Sequence, residues 1–334
     1  MRTLCRPLRL SPACNLRCDP TGVTLETREE EIVLATGHPS GLFKLLTALR
    51  LGGVPEHIAA QLGFGVDALD GMFELLRDQH LILDLDATKE ANTPRDAEVA
   101  LIREAQFAAR AIFEQAFWLE LLSGQLSASQ VLGWGVEFYH FVDAANTYMP
   151  LGLAHTRHVR ELRPHIARHY VEEMNHGVIF LDGLARSGID RASILAAPPL
   201  PHTRALINLL SELSYEGEVT YTASFAVMQP NLAVTSKSAI SDFYGALTQL
   251  YPYAAPLFDA FHKHAALDVA LDHEKTVFHR LCATGLNEEQ RSRAGRTMET
   301  VAEAFILFFD GIRGGYGTHP QFAPRRRLFA LDMP

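Results

Sequence analysis

Long hydrophobic runs are missing from this sequence. No stretch of about 18 consecutive apolar residues occurs, so no membrane-spanning helix is expected. Cysteine is scarce, at 4 in 334 residues, too few for a disulfide framework. Positive charge is in deficit: 30 Lys and Arg stand against 39 Asp and Glu, a net charge of −9, which argues against a nucleic-acid partner. The first 20 residues scatter Arg2, Arg6, Arg9 and Arg17 without the continuous apolar centre of a secretory signal. A cytoplasmic, reduced protein is the expectation. What is present is apolar residue, 48% of the chain, enough for a large core in one big domain or two smaller ones.

The cysteines hold one decoy. Cys14-Asn-Leu-Arg-Cys18 looks like the opening of an iron–sulfur motif, but the position where the third thiolate belongs is Thr21. With that ligand missing, no cluster is expected.

Residues 1–86 differ in pattern from the rest. Val23 to Thr27 and Glu31 to Leu34 read as short strands around a charged turn. Ser40 caps a helical run from Gly41 to Leu51, ended by Gly52-Gly53. Helices are expected over Pro55 to Leu62 and Val66 to Gln79, and a closing strand at Leu81 to Leu85. This order describes a small α+β, winged-helix-like domain. Its 8 Lys and Arg against 12 Asp and Glu, and the lack of a basic helix face, weigh against DNA. The order resembles the small peptide-binding domain of peptide-modifying enzymes and of the pyrroloquinoline-quinone peptide chaperone. The resemblance implies a leader peptide added as a strand at Glu31 to Leu34 and docked near Phe73 to Leu76. Dimerisation, giving a homodimer, is the equal alternative.

Asp86 to Asp96 is polar and aperiodic, and residues 87–96 read as a linker. Beyond it the pattern is helical throughout, with helices expected near 97–122, 128–148, 155–186, 203–228, 232–249, 254–283 and 288–312. Residues 97–313 thus form one all-α bundle, followed by an irregular tail, 314–334.

Two stretches of the bundle carry candidate chemistry. In the first, Glu173 and His176 are three apart and Glu172 and His176 four apart, so either pair can face one metal ion. Alone, such a pair is more often an exposed ion-pairing face. In the second, His264 and Asp268 lie one turn apart inside an apolar stripe with Leu267, Ala270 and Leu271. Burying them is costly unless they are paired or bound to metal. A plain His–Asp hydrogen bond in the core remains open.

Taken together these stretches resemble the haem-oxygenase-like di-iron oxidases. That family shows a Glu with a His shortly after it, a second Glu about 55 residues on, and a closing His-x3-Asp-x2-His about 30–35 residues later. Glu173, His176, His264 and Asp268 fit, and the helix from Trp134 to Asn146 with Tyr139 and His140 suits the context. The resemblance implies a mainly α protein with a haem-oxygenase-like bundle. It also implies an O2-using oxidase or oxygenase of natural-product biosynthesis with one or two Fe(II), acting on an amino-acid-like or peptide-borne substrate. Two positions depart. The second Glu falls at Gln229 or Asn231, and the last His at Leu271. Asp272 stands about 40° from Asp268 around the helix and His273 about 140°. Glu172, Gln229 and Asp272 are therefore reserve ligands, and one tightly held iron is expected, on two histidines and a carboxylate.

The departures keep a second class open. The pyrroloquinoline-quinone synthase and thiaminase-type relatives share the fold without metal. On that reading His140, Glu137 and Tyr139, with His176, line a substrate pocket. A non-catalytic binding protein on the same fold is the third reading.

Overall fold

The computed structural model describes residues 3–12, 14–27, 30–63, 69–228, 237–270 and 277–317. The chain begins with strands β1 (Leu8–Leu10), β2 (Asn15–Asp19), β3 (Gly22–Glu26) and β4 (Glu31–Ala35). Three helices follow, α1 (Pro39–Leu49), α2 (Pro55–Leu62) and α3 (Asp70–Asp78), then β5 (Ile82–Asp84). β2, β3 and β4 form an antiparallel meander, and β1 pairs with β5. β1 and β2 add to the two leading strands read from the sequence. The β2–β3 turn is held by Asp19, whose Oδ1 accepts from the Thr21 and Gly22 N–H groups at 2.8 and 3.0 Å. Gly22 is required there, because a Cβ would collide with the Leu34 carbonyl.

Each front element shows its inward face in sequence. β4 alternates, with Ile32 and Leu34 buried and Glu31, Val33 and Ala35 exposed. α1 buries Leu42, Leu45, Leu46 and Leu49 at helical spacing. It begins at Pro39, ahead of the expected Ser40 cap, because a proline at the first helical position sacrifices no hydrogen bond. Phe73 and Leu76 of α3 are fully buried and pack the front core, while Leu75 between them is exposed.

The remaining elements are helical: α4 (Pro94–Phe113), α5 (Ala116–Leu122), α6 (Ala128–Asp143), α7 (Ala145–His155), α8 (Arg163–Glu173), α9 (His176–Arg186), α10 (Arg191–Ala196), α11 (Pro201–Glu216), α12 (Glu218–Met228), α13 (Lys237–Leu250), α14 (Ala255–Ala270), α15 (Val277–Ala283) and α16 (Glu288–Gly317). α4 and α6 start in reciprocal capping boxes, Thr93 with Asp96 and Ser127 with Gln130. Among the described residues no helix is long and apolar enough to cross a membrane.

The helices are more segmented than the periodicity suggests. The expected helix over 155–186 is two, α8 and α9, and the one over 203–228 divides at Gly217, whose φ of 126° no other residue adopts without strain. Conversely, the break expected at Pro150 is absent, and that proline sits inside α7.

Two compact units result. One comprises Met1–Gln115, Thr222–Leu232 and Thr276–Ala302, and the other Ala116–Tyr221, Ala233–Lys275 and Glu303–Pro334. Within the second unit α9 packs on both α6 and α14, α11 on α7, and α13 on α14. The α9–α14 approach is close: a Cβ at Gly183 would stand 2.6 Å from the Ala260 Cβ. Trp134 of α6 stacks on Phe261 of α14, with ring centroids 4.1 Å apart. These contacts fix the helices that carry the candidate ligands.

Candidate metal centre

Glu173 is the last residue of α8 and His176 the first of α9. The turn between them is pinned by Asn146 of α7, whose Nδ2 donates to the Met174 carbonyl at 3.1 Å. Tyr170 Oη in turn donates to Asn146 Oδ1 at 3.3 Å. The Glu-x-x-His pair therefore straddles a helix break, and both side chains are buried, 7% and 6% exposed. From α14, His264 and Asp268 complete the group, their Nδ1 and Oδ2 atoms 3.2 Å apart. The His176 and His264 rings meet edge to face at 4.8 Å.

Glu173, His176, His264 and Asp268 each offer one ligand atom, and these four atoms lie within 4.8 Å of one another. Donors about 2.2 Å from one ion on opposite sides stand roughly 4.4 Å apart. The cluster thus needs only a slight contraction to grip a single ion. His176 Nδ1 lies 2.7 Å from Glu173 Oε2, yet without the alignment of a hydrogen bond. The donor set, two imidazoles and two carboxylates, also suits non-haem iron.

The electrostatics favour an ionised site. Burial pushes the Glu173 carboxyl up, but His169, His176 and His264 outweigh it and hold the group well below the usual carboxylate range. His169, one turn back on α8, brings Nε2 to 3.6 Å from Glu173 Oε1. The wall beside His264 is aromatic, with Phe180 and Phe138 at ring distances of 5.2 and 6.3 Å.

Three tyrosines complete the surroundings, and the sequence reading missed them. Burial first, then neighbouring Glu173, holds Tyr148 above the usual phenol range. Tyr221 is raised by burial, Tyr148 and Glu173, and Tyr244 by burial and Asp268. In sequence each is a lone aromatic on an apolar helix face, with no signal separating it from packing.

Several expected site residues lie elsewhere. Glu137 is completely buried in a separate knot, where its carboxylate accepts from the Leu200 N–H at 2.8 Å and from Thr203 Oγ1 and Tyr316 Oη, each at 2.6 Å. It ties α6 to α11 and α16. Phe138 is the α6 residue whose ring stands 6.3 Å from that of His264, and Tyr139 and His140 follow about 100° and 200° further round the helix. Their rings stand 5.2 Å from each other. Glu172 is turned off the cluster toward Arg168, with a 3.7 Å ion pair. Glu218 accepts the Arg157 and His158 N–H groups and serves that turn. Gln229, Asn231, Leu271, Asp272 and His273 lie outside the described residues. Cys14 is buried and Cys18 exposed, both as free thiols.

Comparison with known proteins bears on the fold and the family. A solved structure from Shewanella denitrificans, described as a domain of unknown function with a haem-oxygenase-like fold, superposes with a TM-score of 0.56 at 21% identity, covering 69% of this chain and 98% of that one. A TenA homologue from Pseudomonas syringae gives a TM-score of 0.49 at 16% identity, covering 64% of this chain and 90% of that one. No curated protein matches this chain. The family model described as iron-containing redox enzyme matches residues 132–305, the stretch that runs from α6 into α16 and includes all four clustered residues. The fold is haem-oxygenase-like, and the chain belongs to the family of iron-containing redox enzymes.

Proposed function

We propose that the protein is an iron-dependent oxidase or oxygenase that uses O2, with Glu173, His176, His264 and Asp268 holding one iron. The observation that carries this reading is the convergence of these four side chains from three helices on one point. Iron bound there would supply redox chemistry with dioxygen. The chain's own residues do the rest. Glu173 stays ionised across the neutral range, so a cation meets a charge already in place. His169 supports that carboxylate from behind. Phe138 and Phe180 keep one side of His264 apolar, which strengthens the electrostatics of the site. Tyr148 and Tyr221 near Glu173, and Tyr244 near Asp268, keep their Oη protons and offer neutral O–H groups.

We read the substrate as a small organic molecule, amino-acid-like or peptide-borne, in natural-product biosynthesis. The metal-free alternative would instead use Glu137, Tyr139 and His140, which are not among the four clustered residues.

The test is anaerobic loading with Fe(II), followed by elemental analysis and O2-uptake measurements with candidate amino acids. We expect about one iron per chain, lost in His264→Ala, and O2 consumption that follows iron content. Full iron binding by His264→Ala, or undiminished O2 uptake after complete iron removal, would overturn the reading.

A further inference from the structure

The front unit holds a cleft of about 680 Å³ between the end of α3, β5 and the first turns of α4. Small-molecule sites commonly span about 300–1,000 Å³. Seven charged or titratable side chains line it: Arg6, Arg77, His80, Arg103, Asp84, Glu90 and Asp96.

The acids are already engaged. Arg6 takes Asp84 at 2.9 Å and also pairs with Glu90. Asp96 closes the capping box with Thr93. The cations opposite are not balanced in this way. Among the described residues no hydrogen bond or ion pair reaches the guanidinium of Arg77 or Arg103, and Arg77 Nε is shut off from solvent. A buried donor left without an acceptor is costly, and a bound acceptor would relieve that cost.

His80 also lines the cleft. Its φ of 54° closes the C-terminus of α3, where the His80 N–H donates to the Arg77 carbonyl and the Leu81 N–H to the Leu76 carbonyl. Burial lowers its basicity first, then the charges of Arg110 and Arg103, with Asp78 opposing. The guanidinium groups of Arg77 and Arg103 are therefore the charges that an anion could pair with, beside a His80 ring of lowered basicity. Along the same cleft Val99 exposes its side chain, with the largely buried Ile82 and Ala100 lining the wall next to it.

We propose that this cleft binds a small amphipathic organic acid, its carboxylate or phosphate head on Arg77, Arg103 and His80 and its apolar body along Val99, Ile82 and Ala100. The site is distinct from the iron cluster and does not depend on the reading of that cluster.

Isothermal titration calorimetry on the full chain, with octanoate, octyl phosphate and neutral octan-1-ol as probes, tests it. At least one anion should bind ten-fold or more tighter than octanol, and the preferred anion identifies the head group. Arg77→Gln/Arg103→Gln should weaken that anion at least ten-fold and leave iron content unchanged. Arg103→Gln alone, at an exposed position, guards against misfolding of the double variant and should weaken binding several-fold. The His80 ring resonances should shift on anion addition in the wild type and stay still in the double variant. Equal binding of octanol and both anions, or undiminished anion binding by a folded Arg77→Gln/Arg103→Gln protein, would overturn the proposal.

Discussion

The molecule contains two Glu-x-x-His pairs, Glu137/His140 on α6 and Glu173/His176 across the α8–α9 break, with opposite outcomes. On the unbroken α6, Glu137 is buried and accepts from the Leu200 N–H, Thr203 Oγ1 and Tyr316 Oη, and His140 is not one of the four clustered residues. At the break, the chain turns between the two residues and brings His176 Nδ1 to 2.7 Å from Glu173 Oε2. Spacing made the pairs look alike. What separates them is the surroundings: hydroxyls and an amide around one carboxylate, imidazoles and a second carboxylate around the other.

That contrast is open to direct attack. Removing a ligand has the largest expected effect. Glu173→Ala should lower iron affinity by about 100-fold or more, beyond what loss of a supporting contact costs, while the fold survives. Elemental analysis and thermal unfolding of the same sample would check both halves. Retained iron would mean that the break does not build a ligand pair.

Glu137→Ala should do the reverse. It strands the Leu200 N–H, Thr203 Oγ1 and Tyr316 Oη in a dry interior, at a cost of about 3–5 kcal/mol. The melting temperature should fall by roughly 10 °C, with iron per folded chain unchanged. Loss of iron at full stability would mean that the two sites are not separate.

A third enclosed carboxylate sharpens the comparison because it has neither kind of partner. Glu104 of α4 lies against Gly295 of α16, and its carboxyl is pushed up to about 7 by burial and then by Glu299, with Arg9 opposing. A raised carboxyl means the folded chain holds its proton longer than the unfolded chain. The stabilisation is complete below the unfolded value near 4.5 and is lost as pH rises to about 7. Wild type should therefore lose about 3 kcal/mol between pH 4.5 and pH 8 through this group, and Glu104→Gln should flatten that part of the profile. Denaturant melts at several pH values measure it. An unchanged slope in the variant would show that Glu104 is solvated.

The clustered residues were legible in sequence because ionisable residues at helical spacing inside apolar stripes need a reason, and His264 with Asp268 supplied one. The break that makes Glu173 and His176 converge was not, since Met174 and Asn175 carry neither proline nor glycine and the turn is pinned from α7 by Asn146. The three tyrosines were hidden for a related reason. An aromatic residue on an apolar face reads as packing until the carboxylate beside it is known. In the front unit, alternation in β4 and the leucine stripe of α1 were readable, whereas β2 hid inside a cysteine spacing that suggested a cluster.

The smallest expected effect is at Glu172, and it tests how finely the break chooses between neighbours. Glu172 and Glu173 are adjacent, both on α8, and either could pair with His176 by spacing alone. A one-residue step turns the side chain by about 100°, and here that step separates the cluster from a partly exposed ion pair with Arg168 at 3.7 Å. Such i, i+4 pairs contribute about 0.3–0.5 kcal/mol in water, because solvent screens the charges and two long side chains lose freedom to meet. Glu172→Gln should therefore change stability by no more than about 0.5 kcal/mol and leave iron content unchanged. The distinguishing measurement is the pair of variants side by side, Glu172→Gln and Glu173→Gln, loaded with Fe(II) under the same conditions. Iron lost from the second and kept by the first would place the choice at the last residue of α8. Iron lost from both would mean that the end of the helix rearranges on binding and that Glu172 swings in as a ligand.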